Sequence, residues 1–423
     1  MKKQREQKYN SKKALLRTKI DLHFLLAVLF INVFGLIMIY SASYYYAESA
    51  YHMASDYFFK NQLTYVLIGF AAMILVSFFR PTVYQKFIFF SLVVMFFFLV
   101  AVRIPGIGHE SHGAYRWIGY KTFLVQIAEP VKICMIIFVA GMIVKTDLSK
   151  TRTMIMMIAI GIVVALLLLI LSNNMSTAII VFLMMYFTLM IAHPKPKWMI
   201  IIAVGAVILA VIAVAILVST EYDPSENFRI TRIRAWIYPT DPEFVADTAY
   251  QPTQALYAIA SGGFFGKGLG QSLIKFKLPE PHNDYILAII FEELGIFGVI
   301  ILTYLYGYLL YKIYKVFSEC RDRFTKYLVI GVFFHLAIQV LLNYAVTLGL
   351  FPTMGVTLPF VSAGGSSATF TLLELGVVMA AARQNEENRI YEEAFEDQQM
   401  EDPYYRQLIE EKKKRKQAET PTS

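Results

Sequence analysis

Long apolar stretches alternate with short polar segments along the chain. The stretch from Trp198 to Val218 contains no charged residue, and about 20 apolar residues are enough for a helix to cross the hydrocarbon core of a bilayer. The same pattern recurs and predicts an all-α, polytopic integral membrane protein with about ten transmembrane helices. The predicted spans are Leu22–Ser43, Gln62–Phe79, Phe87–Val102, Phe123–Val144, Met154–Leu171, Met175–Ala192, Trp198–Val218, Tyr285–Tyr311, Tyr327–Leu348 and Ala368–Ala382.

The composition agrees with lipid as the solvent of this chain. Hydrophobic residues make up 57% of the 423 residues and charged residues 17%, whereas soluble domains carry about 25% charged residues. The first apolar run extends to about Tyr40 without a convincing cleavage site, so we interpret it as an uncleaved span. The two cysteines, Cys134 and Cys320, predict neither a disulfide framework nor a cysteine metal site.

Basic residues concentrate in the two tails and in alternate short loops. The positive-inside rule describes this distribution, so we interpret the net charge of +8 as setting orientation rather than binding nucleic acid. The predicted organisation has both termini in the cytoplasm, with a basic tail at 1–21, a membrane domain at 22–383 and a charged tail at 384–423. The basic cluster at 412–416 is expected to touch anionic lipid, and a specific partner site is the alternative.

Two predicted outer segments differ from simple connections. The segment at 219–284 exceeds the length of about 12–15 residues beyond which loops are usually functional or disordered. Its aromatic residues and glycine turns favour a folded loop. The segment at 351–367 contains two prolines and a Gly-Gly-Ser-Ser run and is predicted to be re-entrant, because irregular backbone is tolerated at membrane depth where protein covers it.

Charged residues in or beside membrane spans are candidates for chemistry because they are costly there. Asp284 stands at the outer mouth of the eighth predicted span, where a carboxylate can stay ionised, and we predict that it is a general base. The alternative for Asp284 is a helix N-cap. Glu129 and Lys132 lie one helical turn apart and are predicted to pair, either to handle substrate or to pack helices together.

Cations in the long outer segment run against the positive-inside trend. Arg229, Arg232 and Lys275 are the candidates, and positive charge outside calls for an anionic partner. Arginine forks suit phosphate oxygens, which predicts a lipid diphosphate at the outer surface. The alternative is pairing with loop acids such as Asp223 and Asp241.

Three further acids lie deeper in the predicted spans. Glu292 and Glu293 fall about 12–14 Å beyond Asp284 at 1.5 Å per helical residue, farther than the roughly 5–10 Å that separates acid–base carboxylates in glycosidases. We therefore interpret both of them, and Glu374, as internal polar ties. His282 is interpreted as a loop histidine, since no second histidine offers metal-ligand spacing nearby.

A series of motifs carries a resemblance to a known family. The motifs are Arg229-x-x-Arg232, Tyr238-Pro239, Asp241-Pro242, Tyr250-Gln251, Gly262-Gly263, Gly266-x-Gly268-x-Gly270-x-Ser272, Lys275, Leu278-Pro279-Glu280-x-His282-x-Asp284, Glu292-Glu293-Leu294-Gly295, Gly113-Ala114-x-Arg116-Trp117-Ile118, Gln126 with Glu129 and Lys132, and Pro352-x-x-Gly355-x-x-Leu358-Pro359-Phe360-x-Ser362-x-Gly364-Gly365-Ser366-Ser367. Over nearly the whole membrane region, and in this order, they resemble the SEDS family of bacterial cell-wall polymerases. The spacing from Ser272 to Leu278 favours its FtsW/SpoVE branch over RodA.

The chain departs from the family pattern in two places. The family's Gln-Pro-Ser-Glu-Leu-x-Lys appears here as the segment from Gln126 to Lys132, and its Pro-Asp-Leu-Gly-Thr as the segment from Asn173 to Thr177. The second change removes an acid, so no role for that aspartate is carried over.

The resemblance implies a peptidoglycan glycosyltransferase, a lipid II polymerase, at the outer face of the bacterial cytoplasmic membrane. Lipid II is then both donor and acceptor: an acceptor sugar hydroxyl attacks the donor anomeric carbon, and undecaprenyl diphosphate leaves. Asp284 is implied as the base, with Arg229, Arg232 and Lys275 balancing the diphosphate charge. The implied supporting residues are Glu129, Lys132, Glu280, Ser366 and Ser367.

The resemblance also implies partners, namely a class B penicillin-binding protein transpeptidase and other division proteins. A divalent cation, Mg or Mn, could assist or replace the cationic side chains, and the sequence does not decide its ligands. Two alternatives stay open. One is a lipid II flippase, which needs a charged path across the bilayer, and the other is a non-catalytic scaffold for division proteins.

Overall fold

The computed structural model describes residues 21–111, 114–120, 123–219, 228–245 and 247–401. The predicted basic tail before Asp21, the cluster at 412–416 and Asp223 lie outside the described residues. The α-helices are α1 (Leu22–Tyr51), α2 (Tyr57–Ser77), α3 (Ile88–Ala101), α4 (Ala128–Lys145), α5 (Thr151–Ser172), α6 (Met175–Ala192), α7 (Lys197–Ser219), α8 (Phe228–Ile237), α9 (Pro242–Val245), α10 (Tyr250–Gly262), α11 (Ile286–Glu319), α12 (Arg323–Thr347) and α13 (Gly365–Glu401). Short 3-10 helices cover Pro81–Phe87 and Ile274–Phe276.

Nine of the described helical segments are long and apolar enough to cross a membrane. They comprise α1, α2, α5, α6, α7, α11, α12, the part of α13 up to Glu392, and α3 together with the 3-10 turn before it. The tenth predicted span, α4, is 18 residues long but carries Glu129, Lys132 and Lys145, so its composition alone does not identify it as a membrane span. It is nonetheless an interior helix, with most of its residues buried and with α3, α6 and α12 packed against it. The prediction of an all-α polytopic fold is confirmed.

A small antiparallel sheet precedes α4 and was not predicted. Its strands β1 (Gly108–Ser111), β2 (Ala114–Tyr120) and β3 (Phe123–Gln126) pair in the order β1-β2-β3. The predicted start of the fourth span at Phe123 is therefore wrong, and the helix begins at Ala128. Residues 123–126 are too short and apolar a run for periodicity alone to separate a strand from a helix.

Helix α11 is broken at Gly295, where φ is 66° and ψ is −169°. That backbone region is essentially restricted to glycine. The loop at 263–268 fills the break: Ile296 N donates to Gly263 O at 3.0 Å, and Lys267 N donates to Glu292 O at 2.9 Å. The loop thus supplies hydrogen bonds that an unbroken helix would make internally, as buried backbone groups require.

Residues 351–364 form neither helix nor strand. Much of this segment is nevertheless packed inside the protein: Met354, Val356 and Leu358 are buried, whereas Phe351 and Gly355 are exposed. The end of this segment is fastened to the chain just before α11, because Ala363 N donates to His282 O at 2.9 Å. Protein therefore covers most of this irregular backbone, and the re-entrant course predicted for 351–367 stays a prediction.

We expect Gly295→Ala to lower the melting temperature and the folded yield of the protein. A β-carbon at Gly295 would lie 2.4 Å from Gly266 N and from Phe264 O, and strained backbone of this kind costs about 1–3 kcal/mol. The matched control is Gly307→Ala in the same helix, where an added β-carbon meets nothing within 4 Å. Equal thermal stability of the two variants in detergent would contradict a structural role for the break.

Candidate active site

Asp284 lies just before α11, and its side chain is half-buried. Its backbone carbonyl accepts a hydrogen bond of 2.9 Å from Asn343 Nδ2 on α12. The N-cap of α11 is Tyr285, and no side chain caps that helix end. The N-cap alternative for Asp284 is therefore wrong, which leaves its carboxylate to act on other groups.

Three charged neighbours set the ionisation of Asp284. Burial raises the pKa of Asp284 to about 6. The positive charge of Arg116 opposes this shift, the negative charge of Glu280 adds to it, and the positive charge of Arg232 opposes it. Burial, together with repulsion from Arg116, also lowers the pKa of Arg232, although arginine stays protonated in proteins. A carboxylate whose pKa lies near neutral pH has the property expected of a general base.

The carboxylate of Asp284 and the guanidinium of Arg116 both lie close to Gly355. A β-carbon at Gly355 would lie 3.1 Å from Asp284 Oδ2 and 3.8 Å from Arg116 Nη1. Glycine is therefore the residue that lets the backbone approach the carboxylate without pushing it aside. Gly355 thus places the irregular segment 351–364 beside the candidate base.

Arg116 is the residue that the sequence analysis missed. It lies on β2, and its carbonyl accepts from Ile127 N at 3.1 Å, at the point where the chain enters α4. The sequence signal was present, because Arg116 is the cation of the Gly113-Ala114-x-Arg116-Trp117-Ile118 motif. Its position beside Asp284 depends on the sheet formed by β1, β2 and β3, which was not predicted.

The predicted cation Arg232 does lie in the group around Asp284. It extends from α8, and its Nη1 donates to Thr353 O at 3.3 Å. Arg232 therefore holds the start of the irregular segment. The backbone of Arg229 lies one turn earlier in α8, while its side chain lies outside the described part of the structure.

Lys275 is placed differently. Its buried side chain lies 3.1 Å from Glu293 Oε1 and donates to Gly270 O at 2.6 Å. Lys275 thus ties the outer loop to α11, and it is not among the charges that shift the pKa of Asp284. Its predicted contact with a diphosphate stays a prediction.

Glu292 and Glu293 are internal polar ties, as predicted. Glu292 accepts from Lys267 Nζ at 2.6 Å and from Ile274 N at 3.2 Å. Glu293 accepts from Ser41 Oγ on α1 at 2.5 Å, besides its pair with Lys275. Both carboxylates are fully buried, and together they fasten the outer loop to two helices.

A second group of buried polar residues links α4, α12 and α13. Glu129 and Lys132 form the predicted pair, with Lys132 Nζ 3.0 Å from Glu129 Oε2. Lys132 also donates to Gln339 Oε1 at 3.2 Å. Glu374 is a polar tie as predicted, since its Oε2 lies 2.6 Å from His335 Nδ1.

The remaining predicted residues lie in the turn before Asp284 or at the start of α13. Glu280 adopts a left-handed φ of 50°, and its Oε2 accepts from Asn283 Nδ2 at 2.6 Å, which holds the turn leading to Asp284. His282 is buried beside Phe58, with ring centroids 4.1 Å apart, and burial lowers its pKa to about 4. Ser366 and Ser367 are buried in the first turn of α13.

The described residues contain no group of three or more histidine, cysteine, aspartate or glutamate side chains placed to hold a metal ion. Around Asp284 the acidic donor is Glu280, and the guanidinium groups of Arg116 and Arg232 share the same space. Assistance by Mg or Mn stays a prediction, and the cations that the structure brings to Asp284 are arginines.

Comparison with known proteins places this geometry in a family. A family model covering FtsW, RodA and SpoVE, described as cell cycle protein, matches residues 21–387. A protein of Trichlorobacter lovleyi named probable peptidoglycan glycosyltransferase FtsW is 32% identical over 366 residues, covering 85% of this chain and 92% of that protein. Stage V sporulation protein E of Bacillus subtilis is 33% identical over 375 residues, covering 87% of this chain and 98% of that protein.

Solved structures show the same fold. A structure described as the structural coordination of polymerization and crosslinking by a peptidoglycan synthase complex aligns with a TM-score of 0.69 at 21% identity, over 87% of this chain and 99% of that chain. The rod shape determining protein RodA of Thermus thermophilus aligns with a TM-score of 0.61 at 21% identity, over 87% of this chain and 98% of that chain. With the family model matching most of its length, the chain belongs to the FtsW/RodA/SpoVE family.

Proposed function

We propose that this multi-pass membrane protein is a peptidoglycan glycosyltransferase that polymerises lipid II on the outer face of the cytoplasmic membrane, with Asp284 as the general base. The observation that carries the proposal is a half-buried carboxylate with a raised pKa, faced by Arg116 and Arg232. Relatives named peptidoglycan glycosyltransferase, at 32% identity or more over most of the chain, support the reaction class.

The reaction needs one proton acceptor. Asp284 takes the proton of an acceptor sugar hydroxyl while that oxygen bonds to the donor anomeric carbon. The bond from the anomeric carbon to the diphosphate oxygen breaks, and the leaving diphosphate keeps the electron pair. Because a diphosphate leaves without being protonated when cations balance its charge, no second carboxylate is required.

Arg116 and Arg232 supply that counter-charge in the proposal. Arginine donates two parallel hydrogen bonds to phosphate oxygens, and both guanidinium groups act on the Asp284 carboxylate. Arg229, one turn before Arg232 on α8, is proposed to join them. The same arrangement keeps Asp284 ionised although burial favours its neutral form, since removing a neighbouring positive charge raises a carboxyl pKa.

We further propose that the protein acts with a class B penicillin-binding protein in cell division, with both termini cytoplasmic. The fold shared with a structure that coordinates polymerization and crosslinking supports such a partner. The positive-inside distribution supports the orientation.

Asp284→Asn is expected to lower glycan synthesis from lipid II by about 10²- to 10⁴-fold, the range of general-base contributions. The substitution preserves shape and removes the base, so folded yield stays unchanged. Purified protein is assayed with labelled lipid II, with and without the transpeptidase partner. The matched control is Asp247→Asn at an exposed site in the same outer loop.

The same assay separates the alternatives. Full polymerisation by Asp284→Asn would contradict the assignment of Asp284 as the base. A flippase would move lipid II between the leaflets of a vesicle without making glycan, and a scaffold would do neither.

Polymerisation is expected to depend on pH through Asp284. The base works deprotonated, so the rate falls as pH drops through about 6, the pKa to which burial raises this carboxyl group, and levels off above it. Arg116→Gln removes the cation that most strongly lowers the pKa, so the acidic limb of the profile moves to higher pH. If the acidic limb of the pH–rate profile of Arg116→Gln coincides with that of the parent protein, Arg116 does not influence the pKa of Asp284.

Arg232→Lys is expected to raise KM for lipid II about tenfold, because a point charge does not reproduce the bidentate fork. The control is Arg152→Lys at an exposed position at the start of α5. Unchanged lipid II affinity and turnover in Arg232→Lys would return this arginine to a purely structural role through its bond to Thr353.

A further inference from the structure

Helix α12 carries a row of polar side chains inside the bundle. His335, Gln339, Asn343 and Thr347 are spaced four residues apart, so they lie on one face of the helix. All four are at most 3% exposed. Buried polar groups are costly unless they are hydrogen-bonded, and the bonds of Gln339 and Asn343 lead to the segment around Gly355.

Asn343 joins the two backbones that meet at the candidate base. Its Nδ2 donates to Asp284 O at 2.9 Å and to Val356 O at 2.7 Å. The amide nitrogen has two hydrogens, and each bond uses one of them. One side chain thus fixes the distance between Asp284 and the segment that places Gly355 against its carboxylate.

Gln339, one turn away on the same face, holds the next peptide. Its Nε2 donates to Thr357 O at 3.0 Å, while its Oε1 lies 3.2 Å from Lys132 Nζ and 2.9 Å from His335 Nε2. Gln339 is therefore the junction at which the Glu129–Lys132 pair and the His335–Glu374 pair reach the irregular segment.

Three successive carbonyls of the irregular segment face side-chain donors. Ser176 Oγ on α6 lies 3.0 Å from Gly355 O, Asn343 donates to Val356 O and Gln339 donates to Thr357 O. The single proton of Ser176 is shared with Asn174 Oδ1 at 2.9 Å. Because these peptides lie outside helices and strands, side chains satisfy the carbonyls that regular structure would otherwise pair.

We propose that Asn343 is a positioning residue for Asp284, and that Gln339 and Ser176 complete a clamp that holds 355–357 at the carboxylate. The Glu129–Lys132 pair then affects the reaction through Gln339 rather than by touching substrate. This inference rests on the proposed function, in which Asp284 is the base. It explains why α12, which contributes no charged group to the site, is polar along the face that meets it.

The test is Asn343→Leu in the purified full-length protein, with lipid II as substrate. Loss of the clamp displaces the base, and displacement on the scale of 1 Å can cost about 10²-fold in rate. We therefore expect kcat to fall at least about tenfold, KM to change less than threefold, and the acidic limb of the pH profile to move. A merely structural asparagine would lower folded yield and leave kcat per folded molecule unchanged.

The matched control is Asn32→Leu. Asn32 is also a buried asparagine, 1% exposed, but its Nδ2 donates to Val28 O within its own helix at 2.8 Å. We expect kcat and KM of Asn32→Leu to match those of the parent protein. A loss of kcat in Asn32→Leu equal to that in Asn343→Leu would overturn the proposal, because removal of any buried amide would then suffice.

Ser176→Ala tests the clamp with a smaller change. It removes one hydroxyl, and a three- to tenfold drop in kcat with a nearly unchanged melting temperature is expected. If Asn343→Leu yields no folded protein, this variant decides: parental kcat in Ser176→Ala overturns the clamp. Full activity of Asp284→Asn would instead show that Asp284 is not the base. If Asp284→Asn is inactive and Asn343→Leu has the kcat of the parent protein, only the clamp is rejected.

Discussion

Polar groups inside a membrane protein have no bulk water to bind, so each needs a partner from the protein. This constraint determines the architecture of α11. Its break at Gly295 opens backbone groups that the loop at 263–268 satisfies, and Glu292 and Glu293 accept bonds from the residues that follow that loop. Because the loop and the helix satisfy each other's hydrogen bonds, the outer segment is fastened to the helix that begins just after Asp284.

The same constraint accounts for the irregular segment around Gly355. Its carbonyls are met by side chains from α6 and α12, and protein packs around it. Gly355 in this segment lies next to the Asp284 carboxylate, since an added β-carbon would lie 3.1 Å from Asp284 Oδ2. The cost of irregular backbone is thus offset by hydrogen bonds that also determine where the candidate base stands.

Asp284 differs from the acids deeper in α11 in how its charge is balanced. Glu293 is paired with Lys275 at 3.1 Å and fully buried. Asp284 is half-buried, and its pKa is raised by burial and Glu280 and lowered by two arginines. A tightly paired carboxylate is a poor base because its charge is already stabilised. The difference in environment, rather than in residue type, separates the proposed chemical role of Asp284 from the structural role of Glu293.

The sequence by itself determined the membrane class, the positions of most helices, the family and the candidate base, because apolar periodicity and motif spacing are local properties of the chain. It also identified Glu129 with Lys132, since residues three apart on a helix are neighbours. Only the tertiary structure decided which cations face Asp284. Arg116 lies near it on β2 of a sheet that was not predicted, and Lys275 pairs with Glu293 instead. Partners distant in the chain are chosen by packing: Asn343 and Asp284 are 59 residues apart, and no local pattern encodes that bond.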